Sequence, residues 1–219
     1  MKMVDSNDIN IDKDQIQQGK TGLHVACSQG LVSVVRKLLD EGARADIKGD
    51  YGDTPLHDAA VKNYPKIVTQ LLERSRTNNF PLDIQNNEGQ TALDAACLKG
   101  CYDVVQILLD FGADTSIVDN EGDTAFYYAV KSRNSKVLEK LLVNLIKNKK
   151  NLDTRYRTGK TALHYACKYG LESIVKELLD QGVDVDMIDD NRNIALYYAV
   201  KNNHTAVVQL YTTALGCTG

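Results

Sequence analysis

Five blocks of four aliphatic residues recur along the chain, with polar residues filling the positions between. They are Val34, Val35, Leu38, Leu39; Ile67, Val68, Leu71, Leu72; Val104, Val105, Leu108, Leu109; Val137, Leu138, Leu141, Leu142; and Ile174, Val175, Leu178, Leu179. Residues three and four apart share one face of a helix, so each block predicts an amphipathic helix with a single apolar stripe. Ahead of the first block lies a shorter apolar face, Leu23, Ala26 and Cys27, which predicts another helix. Thr21 is placed to cap the free N–H groups of its first turn. Gly30 allows the left-handed conformation that ends it, and Gly42-Ala43 stops the helix that follows. A polar turn carrying Asp46 and Gly52 then leads to the next pair.

The short helix is as repetitive as the long one. Its threonine returns as Thr54, Thr91, Thr124 and Thr161, with Ile194 in a degraded sixth copy. The shorter step between these anchors is about 33 residues, a length typical of stacked repeats, and it alternates with a step four positions longer. Such a period means stacked supersecondary units, because a pair this short buries one face against its partner and needs the next pair to cover the other. Small residues at Ala26, Ala59, Ala95, Ala129, Ala166 and Ala199 are expected to let the first helices pack closely. Odd units carry Cys27/Gly30, Cys97/Gly100 and Cys167/Gly170, whereas even units place Asn63, Arg133 or Asn203 at the glycine position. The economical description is a two-unit module present three times, anchored at Thr21, Thr91 and Thr161. Units two and four carry four extra residues each, within 73–81 and 143–150, expected on the same side of the stack. The second insertion is helix-compatible, adds about one turn, and ends in a basic tip of Lys147, Lys149 and Lys150.

Thr54-Pro-Leu-His-Asp-Ala-Ala60 resembles the Thr-Pro-Leu-His-x-Ala pattern of the ankyrin repeat, whose length of about 33 residues is also that of the shorter step. The resemblance covers about residues 10–215, with six copies in phase. It implies an all-α solenoid of stacked helix-turn-helix ankyrin repeats with short β-hairpin fingers. A polar segment at 1–16 would lead into a single repeat domain at 17–215, followed by a tail at 216–219. The repeats fall at about 17–49, 50–86, 87–119, 120–156, 157–189 and 190–215. It implies no activity, because the family is defined by architecture. Within it, His24, His57 and His164 tie a helix start to the neighbouring hairpin, while Asp94 and Tyr127 replace that histidine in units three and four. Arg133 at an inter-helix glycine position predicts a strained turn. The last unit, with Ile194 for threonine and Val207-Val-Gln-Leu-Tyr211 lacking paired leucines, is expected to close the stack.

Composition narrows the function classes. The 219 residues are 43% apolar and 25% charged, enough for a sizeable core. A formal net charge of −3, from 26 basic and 29 acidic residues, gives no argument for nucleic-acid binding. No apolar run approaches the roughly 18–20 residues that cross a bilayer, and the polar, acidic start does not read as a secretory signal. Five cysteines is an odd number, and Cys27, Cys97 and Cys167 stand two units apart, beyond disulfide reach. They read as small buried hydrophobes. The expected location is cytoplasmic. His24/Cys27 and His164/Cys167 have helical spacing, but no second cluster accompanies them, so no metal is expected. Gly19-Lys-Thr21 and Gly159-Lys-Thr161 lack the spacing of a phosphate-binding loop. Asp58 and Asp94 read as single carboxylates without a partner. These residues predict no enzyme and no cofactor.

The resemblance implies a concave groove lined by finger tips and by the exposed side of the first helices. Five of the six units place a lysine on the helix side: Lys62, Lys99, Lys131, Lys168 and Lys201. The fingers contribute Gln17 and Gln18 in unit one, acidic residues Asp50, Asp53, Glu88, Glu121 and Asp123 in units two to four, and basic Arg157 and Lys160 in unit five. Tyr51, Leu98 and Tyr169 are its large contacts, tyrosine being favoured at the centre of interfaces. The pairs Tyr127-Tyr128 and Tyr197-Tyr198 are expected to face inward as packing residues whose hydroxyls reach a polar edge. The function expected is a non-catalytic protein-interaction module or adaptor, a monomer binding another protein, with neither nucleic acid nor membrane as partner. The alternatives are a regulatory or targeting segment of a larger enzyme or channel, and a microbial or viral effector acting on proteins of the host cytosol.

Overall fold

The helices of the computed structural model, which describes residues 19–78, 80–148, 151–214 and 216, fall where the stripes put them. In chain order they are α1 (Gly22–Ser28), α2 (Val32–Asp40), α3 (Pro55–Val61), α4 (Pro65–Asn78), α5 (Ala92–Lys99), α6 (Tyr102–Asp110), α7 (Ala125–Ser132), α8 (Ser135–Lys147), α9 (Ala162–Tyr169), α10 (Glu172–Asp180), α11 (Ala195–Lys201) and α12 (Thr205–Ala214). The fold is an all-α repeat solenoid. The chain forms two compact units, residues 1–128 and 129–219. In the first, α1, α3 and α5 pack side by side as one row and α2, α4 and α6 as another, each short helix also meeting the long helix after it. In the second, α9 packs on α11, while α8, α10 and α12 form the other row.

Burial follows the pattern, with instructive exceptions. Val104, Val105 and Leu108 of α6 are fully buried, as are Ile67 and Val68 of α4. In α2 only Val35 and Leu39 are buried, and Val34 stands 42% exposed. The close approach of the short helices uses Ala96, which is fully buried. Ala95, named from the sequence, is one position out of register and only half-buried. Both insertions lengthen a helix: α4 has 14 residues and α8 has 13, against 9 in α2, α6 and α10. Lys147 ends α8 and is exposed; Lys149, Lys150, the segment 1–16, Gln17, Gln18 and Cys217 lie outside the described residues.

The fingers are hairpin-shaped turns, and no strand forms among the described residues. Each holds one turn bond inside one closing bond, the closing bonds running from Gly49 to Asp53 at 2.9 Å, Asn86 to Gln90 at 2.8 Å, Asp119 to Asp123 at 2.9 Å, Tyr156 to Lys160 at 2.9 Å and Asp189 to Asn193 at 3.0 Å. A closing bond with only a turn bond inside it leaves no ladder. Neighbouring fingers are joined instead, Asn87 N–H donating to the Tyr51 carbonyl and Asn120 N–H to that of Glu88, both at 3.0 Å. A Cβ on Gly89 would stand 2.7 Å from the Asn120 nitrogen, so this approach requires glycine.

The strain predicted for Arg133 is present, at φ 57°, and Asn63 and Asn203 share it at 58° and 59°. Arg192 is a further case at φ 61°, in the finger position that Gly52, Gly89, Gly122 and Gly159 fill elsewhere. Arg192→Gly is therefore expected to raise stability by about 0.5–1 kcal/mol, the left-handed penalty less the added chain entropy of glycine. Thermal unfolding checks this, and a midpoint at or below that of the parent would remove the strain argument.

Ile194 opens α11 without a side-chain cap. Tyr211 fills the place of the first missing leucine in α12, 1% exposed, and its hydroxyl donates to the Val185 carbonyl at 2.8 Å.

Candidate functional site

Each site-bearing surface rests on two polar ties that fix fingers to helices. The first is the histidine tie. Nδ1 of His57 accepts from the Thr54 backbone N–H at 3.2 Å and lies 2.9 Å from its hydroxyl, while Nε2 lies 3.1 Å from the carbonyl of Gln90 in the next finger. His24 repeats this with Thr21 and Asp53, and His164 with Thr161 and Asn193. An Nδ1 that accepts a backbone proton leaves Nε2 as the protonated nitrogen, which donates to the carbonyl. The imidazole is thus neutral, and burial lowers all three histidine pKa values from 6.5. In unit three Asp94 supplies the capping half only: its carboxylate accepts from the N–H and hydroxyl of Thr91 at 2.7 and 2.8 Å. Burial pushes its pKa up to about 6 against those hydrogen bonds.

The second tie recurs once in every two-unit module, and the sequence pattern alone did not expose it. The residue just before an odd-unit threonine reaches the fourth residue after the anchor of the even unit. Lys20 pairs with Asp58 at 2.7 Å, and Gln90 Nε2 donates to the Tyr128 hydroxyl at 2.8 Å. Lys160 lies 5.1 Å from the Tyr198 ring. In the latter two the tyrosine hydroxyl donates to a buried finger carboxylate, Asp119 or Asp189. Asp119 Oδ1 also accepts from the N–H groups of Glu121 and Asp123 at 2.9 and 2.8 Å. Asp189 Oδ1 accepts from Asn191 and Asn193 at 2.9 and 3.0 Å, and its Oδ2 holds Lys160 at 2.9 Å. Burial would raise the Asp189 pKa, but Tyr198, the Asn193 N–H and Lys160 hold it well below the usual carboxylate range. Asp58 and Asp94 are therefore partnered, contrary to their reading as lone carboxylates. Lys160 is 9% exposed and belongs to this tie, so it does not make the fifth finger a basic surface.

The candidate contacts divide by burial. Asp50, Tyr51, Lys62, Glu88, Lys99, Glu121, Lys131 and Lys201 are exposed, and Asp53, Leu98, Lys168 and Tyr169 are half-buried. Asp123 is only 4% exposed, folded into the finger by the Asp119 bonds, so its side chain is withdrawn from the surface expected of it. In the first unit Tyr51, Asp53, Glu88 and Leu98 come together with Asp58 around a concavity of about 410 Å3. In the second, the Lys168 ammonium lies 5.3 Å from the Tyr169 ring, and burial, then Lys160 and Arg133, lower its pKa. Tyr128 and Tyr198 are buried as expected, but Tyr197 is 43% exposed under Lys201, 5.5 Å away, and Tyr127 is half-buried.

Other chemistry is sparse among the described residues. No group of three or more His, Cys, Asp or Glu is placed to hold a metal. No helix is long and apolar enough to cross a membrane. Cys27, Cys97, Cys101 and Cys167 are free and buried, and burial pushes the Cys167 thiol up to about 12, far from a reactive thiolate.

A family model described as ankyrin repeats matches three times, over residues 2–80, 76–151 and 139–214. The chain is 35% identical over 160 residues to the B-cell lymphoma 3 protein homolog of Mus musculus, covering 73% of this chain and 36% of that protein. It is 30% identical over 202 residues to the transient receptor potential cation channel subfamily A member 1 homolog of Caenorhabditis elegans, covering 92% of this chain and 16% of that one. It thus spans about a third of the first relative's length and far less of the second's. Among solved structures it is similar to a chain in the complex of the predatory endopeptidase Bd0816 of Bdellovibrio bacteriovorus with immunity protein Bd3460. That match has a TM-score of 0.66 and 28% identity, covering 89% of this chain and 98% of that chain.

Proposed function

Because the chain belongs to the ankyrin-repeat family, whose members are protein-interaction modules, we propose that it is a non-catalytic adaptor that binds a partner protein through the groove of finger tips and first helices. The observation that carries this reading is the first unit's concavity, where Tyr51, 60% exposed, and Leu98 stand with Asp53, Asp58 and Glu88, the exposed Lys62 and Lys99 following the lining residues Val61 and Leu98 in the chain. An exposed tyrosine with apolar support and a charged rim is the composition of an interface centre. The test is affinity capture with the parent chain and with Lys62→Glu/Lys99→Glu, both sites being exposed so that folding is retained. Partners held by the parent are expected to be lost from the variant. A variant that keeps every partner would remove the groove from consideration.

A second reading is favoured by the coverage of the worm channel, where the matching region is a small share of the whole. In it, the same surface is the targeting segment of a larger protein. A native species of 24.2 kDa detected in the source cell would exclude that reading.

A further inference from the structure

The three ties that recur from module to module are not equally saturated. Asp119 and Asp189 each spend both carboxylate oxygens on named donors. Asp58 gives Oδ1 to Lys20, and its buried Oδ2 has no hydrogen-bond partner. Asp58 is 7% exposed, and it is the member of the three that lines the 410 Å3 concavity of the first unit. A buried carboxylate oxygen left without a donor is costly, and a small rotation of the Asp58 side chain that brings it to a ligand's donor recovers that cost.

The rest of the wall says what kind of donor fits. Asp53 and Glu88 line the concavity with Asp58, so three acidic residues border a space with no lysine or arginine in its lining, Lys20 reaching Asp58 Oδ1 from outside it. Oδ1 of Asp53 accepts from Asn86 at 2.9 Å. Tyr51 and Leu98 supply an aromatic face and an apolar shelf at the same mouth. Negative charge together with a ring and an apolar side chain in one lining suits a long side chain with an apolar stem and a planar, multiply donating cation. That is arginine rather than lysine, since a guanidinium stacks on a ring while offering several N–H groups in a fixed fork.

We propose that this concavity, between the second and third repeats, receives one arginine side chain of the partner, with its stem on Tyr51 and Leu98 and its guanidinium among Asp53, Asp58 and Glu88. The proposal rests on the groove reading above and narrows it to a partner that presents an exposed arginine.

The test is amide chemical-shift mapping on the full chain with three probes: N-acetyl-arginine amide, N-acetyl-lysine amide and N-acetyl-citrulline amide, the last being the neutral analogue of arginine. Millimolar arginine probe is expected to shift amides within 51–61 and 86–98, lysine to do so more weakly, and citrulline to leave them in place. Glu88→Gln, exposed and outside the polar ties, is expected to weaken the arginine response roughly tenfold, the loss of one charge-assisted contact. Asp58→Asn is expected to weaken it as well, and the Glu88 variant keeps the result readable if that protein unfolds. Equal shifts from citrulline, shifts from lysine as large as those from arginine, an unchanged response in Glu88→Gln, or no shift in these segments would each overturn the proposal. The affinity-capture result with Lys62→Glu/Lys99→Glu is independent of these probes, so the arginine site and the groove fail separately.

Discussion

Asp189→Ala is expected to destabilise the unit formed by residues 129–219 by about 3–5 kcal/mol, the cost of removing one partner from a buried ion pair. The substitution strands the Lys160 ammonium at 9% exposure, and it also removes the acceptor of the Tyr198 hydroxyl and of the Asn191 and Asn193 N–H groups. Chemical denaturation with hydrogen exchange in that unit measures the loss. Lys160→Gln provides the comparison. Glutamine already serves this position in the third repeat, where Gln90 donates to the Tyr128 hydroxyl at 2.8 Å. Lys160→Gln should therefore cost much less than Asp189→Ala. Equal costs for the two substitutions would show that the lysine charge, and not the carboxylate hub, is what the fold depends on.

His57→Ala is expected to cost about 2–4 kcal/mol, combining a lost helix cap with a buried carbonyl left without its donor. The carbonyl is that of Gln90, so the damage extends from α3 into the next finger. The pH dependence separates this tie from simple packing. With folded pKa values lowered by burial below 6.5, the histidines must be neutral in the folded state. Their contribution is present above the unfolded pKa and is lost as pH falls through the lowered folded values. Stability should thus decline on acidification below about pH 6.5, and His57→Ala should flatten part of that decline. Asp94 works in the opposite sense. Its raised pKa of about 6 makes its contribution greatest at low pH and lost as pH rises through that value. A decline on acidification as steep in His57→Ala as in the parent would contradict the neutral-histidine assignment, because Asp94 is common to both proteins.

The helices were legible because their signal is local: Val104, Val105, Leu108 and Leu109 advertise a buried stripe without reference to anything else. The left-handed turn at Arg133 was legible for the same reason, since a glycine position without glycine must carry the strain. The polar ties were not. Lys160 looks like a finger-tip cation until Asp189, in the next finger, is known to fold beneath it. Asp58 looks isolated until Lys20, in the preceding unit, is brought to it. Asp123 reads as an exposed finger acid in the sequence, yet the turn that creates the finger also buries it. The repeat spacing did hold the needed signal. Lys20, Gln90 and Lys160 occupy one position in successive modules, as do Asp58, Tyr128 and Tyr198, and the two positions vary as partners. Likewise Tyr127 and Tyr128 are adjacent but point differently, because neighbouring residues on a helix are a quarter-turn apart or more and cannot share one buried face.

The finger-to-finger bonds restrict how any partner is recognised. Asn87 and Asn120 give their amide protons to the carbonyls of Tyr51 and Glu88 in the preceding finger. An extended peptide approaching this rim finds those main-chain groups already committed, and cannot dock by adding itself as a strand. Main-chain docking accepts almost any sequence, so its closure here shifts discrimination onto side chains. If the proposed groove is the binding surface, a rim sealed in this way leaves discrimination to residue identity, and a change of one side chain at its mouth should be enough to change the partner selected.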